Sequence, residues 1–226
     1  KFIKKNNKGT NLILYDYPSA PNPMRVRLFL NEKKVSIKNV LVDLRKNENL
    51  KPKYLKINSW GTVPFLVVNK KVIKESIAIC KYLEFKFKSP NLLGKSAIEQ
   101  ASIEMLRRKI EYDGLNSVGE SFRNSAQAFK ERALAGTIKI PQIPELVKRG
   151  AFRTNVFFDF LNAHLKKNRF VAFNKFTIAD IDAYVTYIFA KWIKIDGKKN
   201  RKNIKNWVTR LEKRKSIIDY SNLIAK

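Results

Sequence analysis

The stretch Asn11 to Leu30, NLILYDYPSAPNPMRVRLFL, constrains the fold of this chain more than any other part of it. It begins with an apolar run at Leu12 to Tyr15, which is typical of a buried strand. Closely spaced prolines then fix φ in the connecting loop, so the loop is stiff. From Met24 onward the apolar residues recur at helical spacing and predict a helix with one apolar face. The charged residues outside that face are Arg25, Arg27 and Lys33.

The start of this helix predicts a site for an anion. Asn22 is a favoured N-cap residue, and Pro23 suits the first helical position because its φ is already helical. The first backbone N–H groups of a helix have no partner within it, and they carry the positive end of its dipole. A stiff loop that leads into such an end predicts a small electropositive pocket, and a thiolate is one anion that suits it.

Length and composition limit the class of protein. The 226 residues suffice for one large domain or two small ones, and 44% hydrophobic residues exclude a disordered chain. A single cysteine excludes an internal disulfide and fits a reducing compartment. Because only one histidine accompanies it, we expect no metal site and no histidine-based triad. No segment is apolar enough to span a membrane and no signal peptide precedes the first strand, so we expect a cytoplasmic protein.

The formal net charge of +28 raises the question of a nucleic-acid partner. The lysines are spread along the whole sequence, which indicates a general residue bias rather than a shaped patch. The denser runs, Lys1 to Lys8 and Lys194 to Lys205, lie near the chain ends, where such runs are usually solvated. We therefore expect no nucleic-acid partner, and we expect Lys1 to Thr10 to lack regular structure.

The rest of the first half predicts a second strand, a hairpin and a helix. Val35 to Val42 alternates as a strand and follows the first helix, so it is expected to run parallel to the first strand. Asp43 to Asn58 is polar and predicts a loop with a short helix. Phe65 to Val68 and Val72-Ile73 flank a short turn and predict the hairpin, and a further helix opens at Glu75-Ser76.

The second half predicts helices only. The expected helices cover Ile98 to Asn116, Ala151 to Lys166, Thr177 to Trp192 and Ile204 to Arg214, with a loop at Glu131 to Pro144. The third helix is apolar around much of its circumference and should be the central one. A threonine at its start, followed three residues later by an aspartate (Asp180), predicts a capping box.

Four segments carry a resemblance to a known family. They are Tyr15 to Lys33, Ile57 to Val67 (INSWGTVPFLV), Lys74 to Glu84 (KESIAICKYLE) and Phe176 to Tyr184 (FTIADIDAY). Together they resemble the glutathione transferases, bacterial members included. The resemblance implies an α/β thioredoxin-like domain in the order βαβ-ββα at residues 11–88. It also implies an all-α helical bundle at residues 96–220.

The same resemblance implies that the N-terminal domain binds glutathione. Val63 should pair with the peptide backbone of glutathione, and Pro64 after it should be cis. Ser76 should hold the γ-glutamyl carboxylate and Glu75 the ammonium group, while Lys51 is a candidate for the glycyl carboxylate. Simple capping by Ser76 and a solvated charge at Glu75 are the alternatives.

The residue that meets the thiol is not fixed by the resemblance. Serine- and cysteine-type relatives place a hydroxyl or thiol where this chain has Ala20. Ser19 and Asn22 are the neighbouring candidates for a hydrogen bond to the sulfur. Alternatively, Ser19 is only a turn residue and Asn22 is only the N-cap of the helix. No cysteine is nearby, so we do not expect a mixed disulfide.

Further roles follow from the second domain and from single residues. In relatives the first helix of this domain, which carries Arg107 and Arg108 here, takes part in a two-fold dimer interface. Tyr112 and Phe122 are candidate walls of an apolar substrate site, or they serve ordinary helix packing. Cys80 falls on an apolar helix face and is expected to be a core residue. His164, the single histidine, is expected at the surface.

The resemblance therefore implies a homodimeric glutathione transferase that conjugates glutathione to a small hydrophobic electrophile, as in detoxification. Two alternatives stay open. One is a non-enzymatic interaction protein on the same fold, similar to the stringent starvation proteins. The other is a glutathione-dependent reductase or peroxidase.

Overall fold

The computed structural model describes residues 10–225, which divide into two compact units. The first unit contains residues 10–90, 135–137 and 215–225, and the second contains residues 91–134 and 138–214. The expectation that Lys1 to Thr10 lacks regular structure falls, apart from Thr10, outside the described residues. No helix within residues 10–225 is long and apolar enough to cross a membrane.

A four-stranded mixed sheet forms the centre of the first unit. Its strands are β1 (Leu12–Asp16), β2 (Lys38–Leu41), β3 (Phe65–Val68) and β4 (Lys71–Lys74), in the spatial order β2-β1-β3-β4. The β1 and β2 strands are parallel, whereas β3 is antiparallel to both of its neighbours. With the helices described next, this topology confirms the predicted βαβ-ββα order.

One segment of the first unit is more irregular than predicted, and the segment after it contains the short helix that the sequence predicts. The β2 strand is shorter than the predicted Val35 to Val42, because it is a largely exposed edge strand with β1 as its one neighbour. The polar segment after it forms two 3₁₀ turns, Leu44–Lys46 and Glu48–Leu50, and the short helix α2 (Pro52–Leu55).

Helix α1 (Pro21–Glu32) begins two residues earlier than predicted. Its N-cap is Ala20, which makes no side-chain capping bond, and the prediction of Asn22 as N-cap is wrong. The cause is Pro21, whose fixed φ already fits the first helical position, so that Asn22 lies within the first turn.

The interior of α1 also differs from the simple one-face pattern. Arg25 and Lys33, which the sequence places outside the apolar face, are both buried. The helix packs against α3 (Ser76–Lys86) and against the last helix α9 (Lys215–Ile224), so little of its surface is free. Lys33 is compensated by Glu84 of α3, with 2.7 Å between Nζ and Oε2.

The last helix, α9, is not predicted from the sequence, and it belongs to the first unit. The hydroxyl of Tyr220 donates a hydrogen bond of 2.7 Å to the carbonyl oxygen of Pro18, in the loop before α1. Asn31 Nδ2 donates to the carbonyl of Ser216 at 2.9 Å. The chain end therefore holds the loop and helix in which the site candidates lie.

We expect Tyr220→Phe to lower the free energy of unfolding by about 1 kcal/mol, because it removes one hydrogen bond from a buried phenol. Urea unfolding of the variant and the wild type measures this. Tyr82→Phe is the matched control, since the hydroxyl of Tyr82 bonds to no group among residues 10–225, and it should change little. Equal effects of the two substitutions would contradict the anchoring role of Tyr220.

The second unit is helical, as predicted. Its helices are α4 (Ala97–Lys109), α5 (Asn116–Ser125), α6 (Glu145–Lys167), α7 (Ile178–Ala190) and α8 (Lys202–Glu212), and a π-helical turn at Ile110–Leu115 joins α4 to α5. The α4–α5 helix continues past its predicted end at Asn116, and α6 begins six residues before its predicted start. The predicted loop at Glu131 to Pro144 contains no helix.

Helix α7 is the buried centre of this unit, and the predicted capping box is confirmed. The Thr177 hydroxyl accepts from the N–H of Ala179, and the Asp180 carboxylate accepts from the N–H of Thr177. Asp180 also accepts from the N–H of Val171 and from Nε1 of Trp207. One fully buried carboxylate thus joins the start of α7 to the preceding loop and to α8.

In this unit the expectation for His164 is wrong, and Arg107 has a buried partner that the sequence does not predict. Arg107 is not available to a partner subunit, because its side chain is buried and its Nε lies 2.8 Å from Oδ2 of Asp182 on α7. His164 is half-buried rather than at the surface, and its Nε2 lies 2.7 Å from the carbonyl oxygen of Val171. In the first unit, Cys80 is fully buried, as expected.

Candidate functional site

The first turn of α1 and the first residue of α3 meet in a hydrogen-bonded cluster. The Ser76 hydroxyl lies 3.4 Å from Oδ1 of Asn22, and both oxygens accept hydrogen bonds from Nη1 of Arg25. The bonds from Arg25 measure 2.8 Å to Ser76 and 3.3 Å to Asn22. The fold therefore joins one residue predicted to meet the thiol and one predicted to hold the γ-glutamyl carboxylate.

At the start of α1, Asn22 is the main residue whose N–H groups can donate hydrogen bonds to a ligand. Pro21 and Pro23 have no N–H, and the N–H of Met24 donates to the carbonyl oxygen of Ala20 at 2.9 Å. The N–H of Asn22 has no partner among the described residues. The pocket expected from the helix terminus therefore offers the backbone and side-chain N–H groups of one exposed residue, Asn22.

Glu75 and Ser76 lie where β4 passes into α3, and they differ in exposure. Glu75 is the N-cap of α3, has φ +66°, and leaves its carboxylate exposed. Ser76 is only 2% exposed, because its hydroxyl faces Arg25 and Asn22. A glutamate in the left-handed region of φ is strained, and such residues concentrate at functional sites.

The Val63–Pro64 peptide bond immediately before β3 is cis, as expected. Within residues 10–225 no hydrogen bond uses the backbone N–H or C=O of Val63, which precedes the paired part of the strand. Both groups are therefore available to an extended peptide, in the manner of an added strand.

Two of the predicted site residues make no contact with the cluster. Ser19 is exposed in the turn before α1 and has no hydrogen-bond partner within the described part of the chain. Lys51 is the exposed N-cap of α2, and its Nζ lies 4.0 Å from Oε1 of Glu48. The structure thus brings Asn22 and Ser76 together but leaves Ser19 and Lys51 apart from them.

Arg25 is the residue of this cluster that sequence reasoning missed. Its side chain is only 1% exposed, although the helical pattern places it among the solvated charges. The spacing i, i+3 between Asn22 and Arg25 is visible in the sequence and is a signal that the two side chains are neighbours on a helix. The contact with Ser76, 51 positions away, requires the fold.

A largely buried ion pair fixes the end of β1 relative to α1. Arg27 donates to both carboxylate oxygens of Asp16, with 2.5 Å to Oδ2 and 2.8 Å to Oδ1. Burial raises the pKa of the Asp16 carboxyl, and the hydrogen bonds and charge of Arg27 oppose that shift. The pair joins the two elements that flank the loop of Ser19 and Ala20.

In the second unit, the two candidate wall residues have different surroundings. Phe122 packs edge to face against Phe189 and Trp192, with ring centroids 5.5 Å and 5.1 Å apart. Tyr112 is 52% exposed on the π-helical turn. Phe122 therefore has the environment of a packing residue, and Tyr112 has that of a surface residue.

No group of three or more potential metal ligands occurs in the part of the chain that the structure describes.

Comparison with known families identifies both halves of the chain. The model described as "Glutathione S-transferase, N-terminal domain" matches residues 10–84, and that described as "Glutathione S-transferase, C-terminal domain" matches residues 129–215. The chain belongs to the glutathione S-transferase family. The resemblance inferred from the four sequence segments is confirmed.

Relatives of similar length share the whole architecture. Glutathione S-transferase 2 of Saccharomyces cerevisiae is 29% identical over 209 residues, which are 91% of this chain and 88% of the relative. The structure of Gtt2 from the same yeast has a TM-score of 0.82 and covers 92% of this chain and 99% of its own. A glutathione S-transferase domain-containing protein of Marinobacter aquaeolei VT8 is 30% identical with a TM-score of 0.83, covering 91% and 99% of the two chains.

Proposed function

We propose that this chain is a glutathione transferase that binds glutathione in its first unit and directs the thiolate at a small hydrophobic electrophile. The observation that carries the proposal is the hydrogen-bonded contact between Asn22 and Ser76. These residues come from α1 and α3, and each faces a different anionic group of one tripeptide. Family membership supports glutathione as the ligand, and the contact supports the binding position proposed here.

The peptide is held by groups along one side of this unit. The free N–H and C=O of Val63, before Pro64, pair with the tripeptide backbone. The Ser76 hydroxyl and N–H meet the γ-glutamyl carboxylate at the start of α3, where the helix dipole favours an anion. The exposed Glu75 carboxylate meets the ammonium group, and Lys51 is the candidate for the glycyl carboxylate.

Thiolate stabilisation is assigned to Asn22 rather than to Ser19. A free thiol ionises near pH 8.5, and each unit by which its pKa falls corresponds to about 1.4 kcal/mol of thiolate stabilisation. Asn22 offers its backbone N–H and its side-chain amide at the positive end of α1. The thiolate sulfur then attacks an electrophilic carbon, and the leaving group departs with its electron pair. Catalysis is positioning together with electrostatic stabilisation of sulfur.

Steady-state kinetics with glutathione and a chlorinated nitroaromatic test this assignment. Asn22→Ala should lower kcat/KM about tenfold or more, as expected for loss of a hydrogen bond to a charged atom. Ser19→Ala is the matched control and should leave kcat/KM nearly unchanged. A larger effect of Ser19→Ala than of Asn22→Ala would contradict the assignment. Activity with a hydroperoxide, without conjugation, would instead indicate a glutathione-dependent peroxidase.

One observation favours a second function, a non-enzymatic interaction protein on the same fold. Ala20 occupies the position at which serine- and cysteine-type relatives carry their reactive side chain, and it makes no side-chain capping bond. Retention on glutathione-agarose separates the two functions. An enzyme of the proposed kind is retained and released by free glutathione, whereas a pure interaction protein passes through.

The proposal includes a homodimer formed through the second unit. Large apolar side chains are exposed on α4, the π-helical turn and α6: Met105, Tyr112, Phe152 and Val156. Phe152 is 71% exposed and borders a groove of about 210 Å³. Large apolar side chains exposed on neighbouring elements are typical of a protein interface. A second copy of the chain is the proposed occupant of this surface.

We also propose a cytoplasmic location, because the single cysteine, Cys80, is buried and free, as is usual in a reducing compartment.

Analytical ultracentrifugation of charge variants tests the dimer. Phe152→Glu and Val156→Glu should shift the protein from dimer to monomer, because each would bury an unpaired carboxylate in an apolar interface. Ile218→Glu, at a half-exposed apolar position on α9, is the matched control and should leave the dimer intact. A monomeric wild type, or variants that stay dimeric, would contradict this interface.

A further inference from the structure

We propose that Arg25 is a positioning residue that turns Asn22 and Ser76 into hydrogen-bond donors toward the thiolate and the γ-glutamyl carboxylate of one bound ligand. The inference rests on the proposed glutathione function. It adds to that function a buried guanidinium that acts on the ligand through two other residues.

Both hydrogen bonds to the site residues come from Nη1 of Arg25. Its Nη1 carries two hydrogens, and its two acceptors are Oγ of Ser76 at 2.8 Å and Oδ1 of Asn22 at 3.3 Å. Arg25 is 1% exposed, and its bond to Ser76 is buried. Both acceptors are consequently held in place by one rigid group on α1.

The direction of these bonds determines what Asn22 can do. A guanidinium only donates, so the atom of the Asn22 amide that faces it must be the oxygen. The Nδ2 amino group then points away from Arg25, and no residue within the described chain accepts from it. An amide that could otherwise present either end is thereby fixed as a donor, beside the start of α1.

The same argument applies to Ser76. Because its oxygen accepts from Arg25, the hydroxyl hydrogen is directed elsewhere. Its acceptor within the described chain, Oδ1 of Asn22, lies at 3.4 Å, which is long for an O–H···O bond and makes this bond a weak one. A carboxylate placed beside Ser76 is the better acceptor. The bond from the guanidinium also polarises the hydroxyl and strengthens its own donation.

The charge of Arg25 acts in the same direction as its hydrogen bonds. A cation near a thiol favours the thiolate, and the effect is larger in a buried environment, where the dielectric constant is low. Arg25 contacts the two residues that face the ligand, so its charge lies on the ligand side of the unit. Arg27, two residues along, pairs with Asp16 at the end of β1.

The test measures the pKa of the thiol in the glutathione complex from the ultraviolet absorbance of the thiolate, together with the Kd of glutathione. Arg25→Met should raise that pKa by about one and weaken glutathione binding about tenfold, the loss expected for charge-assisted hydrogen bonds. Arg27→Met is the matched control. It should lower stability by leaving Asp16 buried, and the thiol pKa should stay unchanged.

A double-mutant cycle separates a positioning role from a merely structural one. Asn22→Ala should raise the thiol pKa in the wild-type background and have little further effect in the Arg25→Met background. Additive shifts would overturn the inference, because Arg25 would then not act through Asn22. If Arg25→Met does not fold, Arg25→Lys carries the test, with a smaller shift in the same direction expected. No shift in Arg25→Lys would overturn the inference.

The outcomes also separate this inference from the function on which it rests. Wild-type protein that binds no glutathione overturns both. Wild-type protein that binds glutathione, with an unchanged thiol pKa in Arg25→Met, overturns the role of Arg25 alone.

Discussion

Replacement of Asp180 by alanine is expected to lower the free energy of unfolding by about 4 kcal/mol or more. The carboxylate is fully buried and accepts from four donors: the N–H of Val171, the N–H and hydroxyl of Thr177, and Nε1 of Trp207. Alanine leaves these donors without an acceptor in the interior, in addition to removing the cap of α7. Urea unfolding measures the loss. Asp159→Ala, at an exposed aspartate paired with Arg201 in the same unit, is the matched control and should change little.

The same residue predicts a pH dependence with a definite sign. Burial raises the pKa of Asp180 from 3.8 to about 6, although its hydrogen bonds oppose the shift. A group whose pKa is higher in the folded state stabilises the fold at low pH. Its contribution is fully present below pH 3.8 and is lost as the pH rises through about 6.

Asp180→Asn removes this titration and keeps the shape of the side chain. The stability of the wild type relative to Asp180→Asn should therefore fall by about 3 kcal/mol between about pH 4 and about pH 7. A series of urea titrations at fixed pH values gives this difference. If the stability of the wild type relative to Asp180→Asn is constant with pH, or grows toward neutral pH, the pKa of the Asp180 carboxyl is not raised in the folded protein.

The second large effect is expected at the buried ion pair of Arg107 and Asp182. Nε of Arg107 lies 2.8 Å from Oδ2 of Asp182, and both side chains are almost fully buried. Arg107→Met should cost about 4 kcal/mol, because it leaves a carboxylate in the interior without its guanidinium partner. Arg149→Met, at the exposed pair with Glu120, is the control and should have a small effect.

A double substitution shows whether the uncompensated charge causes that loss. Arg107→Met combined with Asp182→Leu should recover much of the stability, since well-packed apolar residues often replace a buried ion pair at little cost. A double variant no more stable than the single one would attribute the loss to packing rather than to charge. The result also bears on the role of Arg107, which supports α7 from within rather than facing a second subunit.

Local rules predicted those parts of the fold that local chemistry controls. The change of period at Met24, the turn at Asn69-Lys70 and the Thr177 capping box each depend on residues within one or two turns of each other. These features gave the order of strands and helices and the start of α7. The N-cap of α1 was assigned wrongly because two prolines, Pro21 and Pro23, both suit a first helical position.

The features that the sequence could not supply depend on contacts between distant segments. The burial of Arg25 and Lys33 follows from packing of α1 against α3 and α9, which the helical pattern does not contain. The helix α9 is not predicted because its buried residues, such as Tyr220, are buried only through contacts with Pro18 and α1, which lie about 200 positions away in the sequence. For the site, the sequence predicted Asn22 and Ser76 separately. Their contact through Arg25 required the fold.

The most direct test of the central claim is a crystal structure of the protein with reduced glutathione at millimolar concentration. We expect the tripeptide backbone to pair with Val63, the γ-glutamyl carboxylate to lie at Ser76, and the sulfur to lie about 3.5 Å from Nδ2 of Asn22. A peptide bound elsewhere, a sulfur remote from Asn22, or an empty groove would contradict the account.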